Sequence, residues 1–450
     1  MSQRIKFWLV ALNLALLGVW AFSVLPQLLR DQAPAGLLQW RDALVVLSGI
    51  FTFAWMSAAM LLSLRLAWLE SRLGGLDKLY HLHKWLGIGA GLLVFVHWMI
   101  ELLPKSMVDA GWLQVPAQDD DGGGEEGFWT ELADGLGEWM AYPMLALVVL
   151  ALIKRFSYGH FRFTHKLMSL IFLLGIYHGL MLLPGHLWWQ PAGWLVAVFA
   201  AVGGGAALYA LAGRIGQRQR YPATIENWRQ TAGGVLQIEC HVATTWPGHR
   251  AGQFLLATFE RQEGAHPFSI ATDWRGGGAT KSLMLTVKPL GDYTGQLADR
   301  LKPGQNIVLE GPYGAFTFDA DHKAQTAATA APQIWIAGGI GVAPFLARLD
   351  ALANKGAGHG QDIHFFYSIP DASHCPAQLA DLCQAAGVQL HCRHTQSEGL
   401  QPFSAIGEHL RADTSVWFCG PADWGRALGK ALKAAGLPAR RYHRELFEFR

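Results

Sequence analysis

Two apolar stretches of the chain each contain a pair of widely spaced histidines: HLHKWLGIGAGLLVFVHWMIELL at residues 81–103 and FTHKLMSLIFLLGIYHGLMLL at residues 163–183. The pairs are His83 and His97, 14 residues apart, and His165 and His178, 13 residues apart. An α-helix rises ~1.5 Å per residue, so each pair spans about 20 Å, less than the ~30 Å hydrocarbon thickness of a bilayer. Each helix can therefore hold one histidine near each face of a membrane.

Ionisable side chains inside lipid are costly to leave unpaired and are candidate functional residues. Any one of these histidines could instead be a core residue bonded to a neighbouring carbonyl, but four at matched spacing favour a shared role. Two neutral imidazoles can ligate haem iron from opposite faces, which suits electron transfer because no position on the metal stays open. Thirteen residues fall about 140° short of whole turns, so the second helix is expected to tilt, bend or contain a π-bulge.

The composition is that of a membrane protein. Of 450 residues, 51% are hydrophobic and 16% are charged, and a formal net charge of +2 gives no reason to expect nucleic-acid binding. Six apolar segments are long enough to span a bilayer. They are residues 5–25, 43–64, 84–103, 139–155, 165–183 and 192–213. Basic residues cluster on one side of these segments and acidic residues on the other, so the positive-inside rule predicts that both termini are cytoplasmic.

After residue 215 the chain has the pattern of a soluble protein. Short alternating segments broken by Gly and Pro predict a small antiparallel barrel, and apolar strands alternating with helical segments then predict a parallel α/β domain. The predicted fold is thus a membrane all-α six-helix bundle, followed by a β-barrel and an α/β Rossmann-like nucleotide-binding domain. The predicted domains are residues 1–215, 216–325 and 326–450. Five cysteines, all in the C-terminal half and without a CxxC pair, indicate reduced thiols.

Three short motifs in the barrel region are candidates for binding a flat cofactor that carries a pyrophosphate. His266-Pro267-Phe268-Ser269 ends a predicted strand and offers an aromatic ring for stacking and a hydroxyl for hydrogen bonding. The turns Gly291-Asp292-Tyr293-Thr294 and Gly311-Pro312-Tyr313-Gly314 have backbone amides that could face a pyrophosphate. Either turn taken alone is also typical of an ordinary tight turn.

The α/β region contains more specific motifs. Gly338-Gly339-Ile340-Gly341-Val342-Ala343-Pro344-Phe345 follows a predicted strand and precedes a helix, so its glycines permit a phosphate to approach the helix N-terminus. Cys419-Gly420-Pro421 ends a later strand, at the carboxyl edge where ligands of such sheets bind. The chain finishes in Glu445-Leu446-Phe447-Glu448-Phe449-Arg450, where an aromatic residue is either a core plug or a cover for a flavin ring.

Together these motifs resemble the ferredoxin-NADP reductase type of flavin dehydrogenase. With the histidine helices, the chain resembles the NADPH oxidase/ferric reductase superfamily, and most of all its bacterial single-chain NADPH oxidase homologues. The resemblance covers nearly all of the chain from the second helix onward. It implies that two haem b groups, FAD and NADPH are the cofactors, and that the protein lies in the bacterial inner (cell) membrane. Arg393 or Ser368 could favour NADPH through its 2′-phosphate, and NADH is the alternative nucleotide.

The resemblance also implies roles for individual residues. His83, His97, His165 and His178 would be the axial ligands of the two haem irons. Phe268 would stack near the isoalloxazine, and Ser269 would bond to it. Two residues are predicted to be catalytic: Cys419 near the nicotinamide and Phe447 over the flavin, with Phe449 as the rival for that position. The predicted cofactor-binding residues are His266, Pro267, Phe268, Ser269, Lys288, Thr294, Gly311, Tyr313, Gly314, Gly338, Gly339, Gly341, Val342, Pro344, Phe345, Cys419, Gly420, Pro421 and Phe447.

The function implied is transmembrane electron transfer from cytosolic NADPH, through FAD and two b haems, to an extracytoplasmic acceptor. Dioxygen, giving superoxide, is the first choice of acceptor; a ferric chelate or a periplasmic partner protein are the alternatives. A six-helix channel or scaffold without redox function would lack haem. Arg41, at the start of the second helix, either attracts superoxide or a haem propionate or anchors the helix at the interface. The expected partners are the lipid bilayer, NADPH, and dioxygen or a ferric chelate, with no nucleic acid and no obligatory protein partner.

Overall fold

The structure, a computed structural model, describes residues 3–29, 36–112, 127–153, 158–231, 233–274, 282–289, 291–318, 331–355 and 361–445. The chain divides into two compact units. The first consists of the helical residues up to Ile215 apart from Glu70–Asp77, and the second consists of Glu70–Asp77 and the chain from Gly216 onward.

Six long helices dominate the N-terminal part, as the hydropathy predicts. They are α1 (Gln3–Leu28), α2 (Leu37–Ser63), α4 (Leu76–Asp109), α5 (Phe128–Leu152), α6 (Tyr158–Met181) and α7 (Pro191–Leu211), with a short α3 (Ala67–Leu73) before α4. All six are long and apolar enough to cross a membrane. Helix α4 extends beyond the predicted span of residues 84–103 at both ends, because hydropathy reports the apolar part of a helix and not its polar ends.

The surface of the helical unit is apolar. Trp8 is 62% exposed, Leu92 63% and Trp194 65%, whereas such side chains are normally buried in a water-soluble protein. Lipid is the solvent in which this distribution is stable, because helices satisfy their own backbone hydrogen bonds there. The prediction of a multi-pass membrane protein is confirmed.

Small residues allow α7 to pack closely on α2 and α6. A Cβ atom on Gly203 would lie 2.4 Å from Ser57 Oγ and 2.7 Å from the Phe172 ring. The Ser57 hydroxyl donates a hydrogen bond of 2.8 Å to the carbonyl of Phe199 and so joins α2 to α7. Close approach of this kind is how membrane helices gain packing energy without a hydrophobic driving force.

Six antiparallel strands form the barrel at the start of the soluble part. They are β1 (Arg220–Gln230), β2 (Leu236–Val242), β3 (Phe254–Thr258), β4 (His266–Ser269), β5 (Ser282–Val287) and β6 (Asn306–Tyr313). Their order is β4-β3-β6-β1-β2-β5, and a bridge between Ile270 and Leu285 joins the two end strands. Fully buried Ile225, Ile238 and Leu255 fill the interior. The predicted barrel is confirmed.

A five-stranded parallel sheet follows. Its strands are β7 (Gln333–Gly338), β8 (Ile363–Ile369), β9 (Gln389–His394), β10 (Ser415–Cys419) and β11 (Tyr442–Arg444), in the order β11-β10-β7-β8-β9. The helices of the second unit are α8 (Asp292–Gly295), α9 (Leu297–Arg300), α10 (Ala343–Lys355), α11 (Leu379–Ala385), α12 (Thr395–Glu398), α13 (Phe403–Gly407) and α14 (Ala422–Ala434). Strand order reverses between β7 and β10, and the carboxyl ends of strands at such a point are where open α/β sheets bind ligands. The predicted α/β Rossmann-like domain is confirmed.

The barrel and the parallel sheet share one hydrophobic core within the second unit. Phe316 and Phe318, just after β6, pack against Trp335, Phe345 and Trp417 of the α/β layers. Ring centroids 5.0 Å apart, as for Phe316 and Trp417, are in the preferred range for edge-to-face pairs. Within this unit, the shared core fixes the barrel, which contains the predicted flavin site, against the parallel sheet, which contains the predicted nucleotide site. The predicted boundary at residues 325/326 falls outside the described residues.

Candidate functional site

The four predicted ligand histidines meet in two pairs. The rings of His83 on α4 and His165 on α6 have centroids 5.9 Å apart, and those of His97 and His178 have centroids 6.4 Å apart. Helix α6 is a continuous α-helix over Tyr158–Met181, so of the three expected adjustments the π-bulge is absent. The two levels are therefore formed by regular helices whose side chains turn toward each other.

Backbone carbonyls orient one ring of each pair. His83 Nδ1 donates to the Ala59 carbonyl of α2 at 2.8 Å, and His178 Nδ1 donates to the Ala133 carbonyl of α5 at 2.8 Å. A carbonyl can only accept, so the proton must lie on Nδ1 in both rings. The lone pair is thereby left on Nε2, the arrangement in which a histidine is ready to bind a metal.

The other two rings have different surroundings. His97 Nδ1 lies 2.9 Å from Ser48 Oγ, and that hydroxyl is also 2.8 Å from the Leu44 carbonyl of its own helix. Since the hydroxyl donates to Leu44, it can accept the proton of His97 Nδ1. His165 Nδ1 is buried and has no hydrogen-bond partner among the described residues, and its ring stacks on Phe161 at 5.1 Å.

Space for a prosthetic group exists at the level of His97 and His178. Both residues line a cavity of about 310 Å³ between α2, α4, α5 and α6. Its walls include Gly49, Gly137 and Gly175, which have no side chain and so leave space beside the imidazole rings of His97 and His178. A Cβ on Gly137 would lie 2.2 Å from the His178 ring, whereas the same atom on Gly49 would lie 3.8 Å from His97.

These residues fit a group held between two imidazoles. Imidazole nitrogen binds first-row metals at ~2 Å, so two imidazoles on opposite sides of one iron have ring centroids ~6 Å apart. The observed 5.9 and 6.4 Å bracket that separation. In three of the four rings a bonded Nδ1 leaves Nε2 free. The donor set and the distances at both levels, and the cavity at the level of His97 and His178, are compatible with haem iron held by two histidines.

Charged residues surround the cavity at the same level. Arg41 of α2 is paired with Glu101 of α4 and with Asp42, and Lys105 lies 2.9 Å from Glu101. Glu101, Lys105 and Asp134 line the cavity. Arg41 is therefore held between α2 and α4, with 22% of its side chain exposed, and its role stays a prediction. Sequence analysis did not single out Glu101, since no pattern links it to a residue 60 positions away.

The motif His266–Ser269 forms strand β4 at the end of the barrel sheet. The His266 ring stacks on Tyr293 with centroids 4.9 Å apart and planes 20° apart. Tyr293 Oη is buried with no hydrogen-bond partner among the described residues, and burial, with Glu260 nearby, raises its pKa to about 12. A buried phenol without a partner beside a stacked ring pair fits a cofactor that supplies both a flat face and a polar atom.

Other predicted flavin contacts differ in accessibility. Phe268 is 7% exposed and packs in the barrel core against Phe259, so its stacking role stays a prediction, as does the bond from buried Ser269. Lys288 is exposed just after β5, and Thr294 is half-buried on α8. Pro267 is half-buried beside His266.

The predicted turn at Gly311–Gly314 is already engaged within the second unit. The Gly314 amide donates to the Glu70 carboxylate at 2.8 Å, and burial raises the pKa of Glu70. Tyr313 is fully buried and its hydroxyl donates to Glu310 at 2.9 Å, so a contact between its ring and a flavin would require displacing its neighbours. Gly311 has φ +143°, a conformation that favours glycine.

The two nucleotide motifs come together at the carboxyl ends of β7 and β10. A Cβ on Gly341 would lie 2.2 Å from the carbonyl oxygen of Cys419, and one on Gly338 would lie 2.8 Å from Pro421. Glycine is thus required for the two loops to touch. Gly339, with φ +54°, has open space where a Cβ would be.

Only part of this edge can contact a nucleotide directly. Gly338, Gly339, Gly420 and Pro421 are at least partly exposed, whereas the remaining predicted contacts are buried. The buried ones are Gly341, Val342, Pro344, Phe345 and Cys419. Burial raises the pKa of the Cys419 thiol well above its usual value, so the thiol is neutral. Phe447 and its rival Phe449 lie outside the described residues.

The candidates for selecting a 2′-phosphate are neighbours at the ends of β8 and β9. Ser368 and Arg393 are paired in register, but Ser368 is buried and accepts a bond from the Gln401 amide. The Arg393 guanidinium donates to the Glu398 carbonyl at 2.6 Å and lies 3.7 Å from the Glu398 carboxylate. The cation is thus already compensated by an anion.

Comparisons with known proteins find similarity in both parts of the chain. Residues 48–176 match the family described as ferric reductase like transmembrane component. The ferredoxin--NAD(+) reductase component of the Xanthobacter autotrophicus alkene monooxygenase system is 27% identical over 202 residues, which are 42% of this chain and 59% of that protein. A Pseudomonas putida flavohemoprotein is 29% identical over 171 residues, 35% of this chain and 40% of that protein. The structure of an Amycolatopsis cytochrome P450 reductase is similar with a TM-score of 0.42 and 22% identity, covering 51% of this chain and 69% of that chain.

The chain spans less than two thirds of the length of the two sequence relatives. It combines a ferric reductase-like transmembrane domain with a reductase region of the ferredoxin-reductase type. That fusion is what the histidine spacing and the C-terminal motifs predict, and this part of the resemblance is confirmed.

Proposed function

We propose that this chain is an oxidoreductase that transfers electrons across a membrane, from NAD(P)H through FAD and two b haems to an acceptor on the other side. The observation that carries the proposal is the meeting of four imidazoles in two pairs, 5.9 and 6.4 Å between ring centroids, on two helices that can span a bilayer. When bound, flavin and haem would supply the redox chemistry, namely the division of a hydride into single electrons and their passage. The chain supplies ligands, orientation and a dry path.

Each group has residues that would hold it. His83 with His165, and His97 with His178, would be the axial ligands at two levels about 20 Å apart along α4. His266 and Tyr293 would hold the flavin, with Ser269, Lys288 and Thr294 as further candidates. Gly338, Gly339, Gly420 and Pro421 would face the nucleotide, Cys419 would lie behind the nicotinamide, and Phe447 would cover the flavin. The proposed domains are residues 1–215, 216–325 and 326–450.

The direction of transfer follows from the distribution of charge in the sequence. With both termini in the cytoplasm of a bacterial inner membrane, His83 and His165 lie at the cytoplasmic level and His97 and His178 at the outer level. The reductase region is then on the side where NADPH, or NADH, is available.

Dioxygen is the proposed acceptor, giving superoxide. If His97 and His178 both hold the iron, no position on it would remain open, so the acceptor would approach the group from the cavity that these two residues line. That cavity is lined by Glu101, Asp134 and Glu138 against Lys105. This excess of acidic groups opposes an anionic ferric chelate and does not affect neutral dioxygen. Ferric-chelate reduction and delivery to a periplasmic partner are the alternatives.

The test is anaerobic stopped-flow reduction of the purified protein by NADPH, followed by admission of air or ferric citrate. We expect two haems per chain, haem reduction after flavin reduction, and reoxidation by air with cytochrome c reduction that superoxide dismutase abolishes. Dismutase-insensitive cytochrome c reduction together with fast ferric-citrate reduction would select the ferric reductase.

Variants separate the haem sites from the rest. His97→Leu and His165→Leu should each remove one haem, whereas His186→Leu, an exposed residue on a short 3-10 helix, should retain both. Two haems per chain in both His97→Leu and His165→Leu would refute the proposal.

A further inference from the structure

Three further histidines, none of them among the residues discussed above, converge in the nucleotide-binding part. His364 is on β8, His391 is on β9 and His409 follows α13. One ring nitrogen from each lies within 4.8 Å of the other two. His364 Nδ1 is 3.1 Å from His391 Nε2, and the rings of His364 and His409 have centroids 3.7 Å apart.

The cluster is separate from the nucleotide-binding edge. His364 is the second residue of β8, near the amino end of the strand, whereas Ser368 and Arg393 are at the carboxyl ends. The face is the one covered by α13 and α14, where Phe366 packs with Ile406. A ligand at the histidines would therefore contact neither the glycine turn nor the Cys419 loop.

Burial disfavours the charged form of two of the three rings, those of His364 and His391. His364 is 8% exposed, and burial, followed by the neighbouring His409, lowers its pKa below 6.5. Burial and His409 also lower the pKa of His391. The charged groups that face the cluster are Asp362, which attracts a proton, and Arg411, which repels one. Three imidazole nitrogens within 4.8 Å of one another can offer their lone pairs to one divalent metal ion.

Asp362 lies where a carboxylate would accept a hydrogen bond from the non-ligating nitrogen of a metal-bound His364. His364 Nδ1 faces His391, while its Nε2 lies 3.4 Å from Asp362 Oδ1. If Nδ1 binds a metal, Nε2 must carry the proton and can donate it to that carboxylate, an arrangement typical of zinc-bound histidines. Asp362 Oδ2 is in turn held by Arg411 at 3.2 Å.

We propose that His364, His391 and His409 bind one divalent transition-metal ion of the zinc class. Two nitrogens bound to one tetrahedral zinc are ~3.3 Å apart, close to the 3.1 Å between His364 and His391. The three imidazoles would fill three of the four coordination positions of the ion, and a water molecule would fill the fourth. The ion would join β8, the edge strand β9 and the segment after α13, and so stabilise the sheet edge without touching either cofactor site.

The test uses the full-length protein with its cofactors, purified in detergent and treated with EDTA. Bound Zn²⁺ is measured by elemental analysis after dialysis and by competition with a fluorescent chelator, and Zn²⁺ is added during thermal unfolding. We expect one Zn²⁺ per chain and a raised Tm, with unchanged haem and flavin content. His391→Gln and His409→Gln should each weaken Zn²⁺ binding on the order of 100-fold, because one of three ligands is lost.

The matched control is His394→Gln, three residues along the same strand and outside the cluster. It should bind Zn²⁺ like the unsubstituted protein. Absence of stoichiometric Zn²⁺ at micromolar concentration, or equal binding by His391→Gln, His409→Gln and the control, would overturn the proposal. His409 follows a short helix and is partly exposed, so we expect His409→Gln to fold. This variant therefore tests the proposal even if His391→Gln does not fold.

Discussion

Substitution of Gly137 by alanine should remove the haem that we propose His178 holds and leave the haem proposed for His83 and His165. The new Cβ would lie 2.2 Å from His178 Cε1 and 2.4 Å from Nδ1. Non-bonded carbon contacts are ~3.5 Å or more, so the ring must retreat by about 1 Å. A metal–nitrogen bond of ~2 Å does not survive such a shift. The bond of 2.8 Å from Nδ1 to the Ala133 carbonyl would be strained as well.

The size of the effect follows from these contacts. Forcing a methyl group into a packed site costs about 1–3 kcal/mol, and losing a hydrogen bond costs about 1 kcal/mol. At ~1.4 kcal/mol per tenfold, the affinity for that haem should fall by about 10- to 1,000-fold. The other pair, His83 and His165, is on a different level and should be unaffected.

The matched control is Gly135→Ala, two residues away on α5, where nothing lies within 4 Å of the new Cβ. Both substitutions gain about 1 kcal/mol of helix propensity, so their difference isolates the clash. Pyridine haemochrome per chain should give one haem for Gly137→Ala and two for Gly135→Ala. Two haems with an unchanged spectrum in Gly137→Ala would refute the reasoning. Equal loss of haem in Gly137→Ala and Gly135→Ala would also refute it, because the cause would then be a general change in α5 and not the clash with His178.

Three further predictions concern single side chains. Ser48→Ala removes the acceptor 2.9 Å from His97 Nδ1, so haem affinity at that level should fall about 10- to 100-fold and its midpoint potential should shift in a redox titration. Glu398→Gln removes the anion beside Arg393, which should lower KM for NADPH relative to NADH by about 2- to 5-fold in steady-state assays, as expected for an exposed pair of ~0.5–1 kcal/mol. Burial lowers the pKa of His249 below 6.5, so the contribution of neutral His249 to stability is present above pH 6.5 and is lost as the pH falls toward the folded-state pKa. The Tm of His249→Gln should therefore depend less on pH in that range than the Tm of the unsubstituted protein.

Each of these predictions has a control. Ser106→Ala removes an exposed hydroxyl bonded to its own helix and should change neither haem. Asp381→Asn, at an exposed position of α11, should leave the ratio of KM values unchanged. The unsubstituted protein is the reference for His249→Gln and should keep the full slope of the Tm–pH curve in that range. A control that behaves like its test variant would contradict the corresponding prediction.

Much of the architecture was determined by local sequence. Long apolar segments, alternating barrel strands and glycine turns after buried strands are short-range patterns, and each imposes its own backbone conformation. The spacing of His83 and His97 on one helix likewise follows from helix geometry alone. These features could be predicted without knowing how any two elements pack.

The tertiary structure alone decided which atoms meet. The carbonyls of Ala59 and Ala133 orient two histidines, yet nothing in the sequence distinguishes them from other carbonyls, because every residue carries one. His364, His391 and His409 have no short-range spacing typical of a metal site, and the fold of three separate segments brings them together. Contacts between distant segments depend on register and packing, which a one-dimensional pattern does not contain.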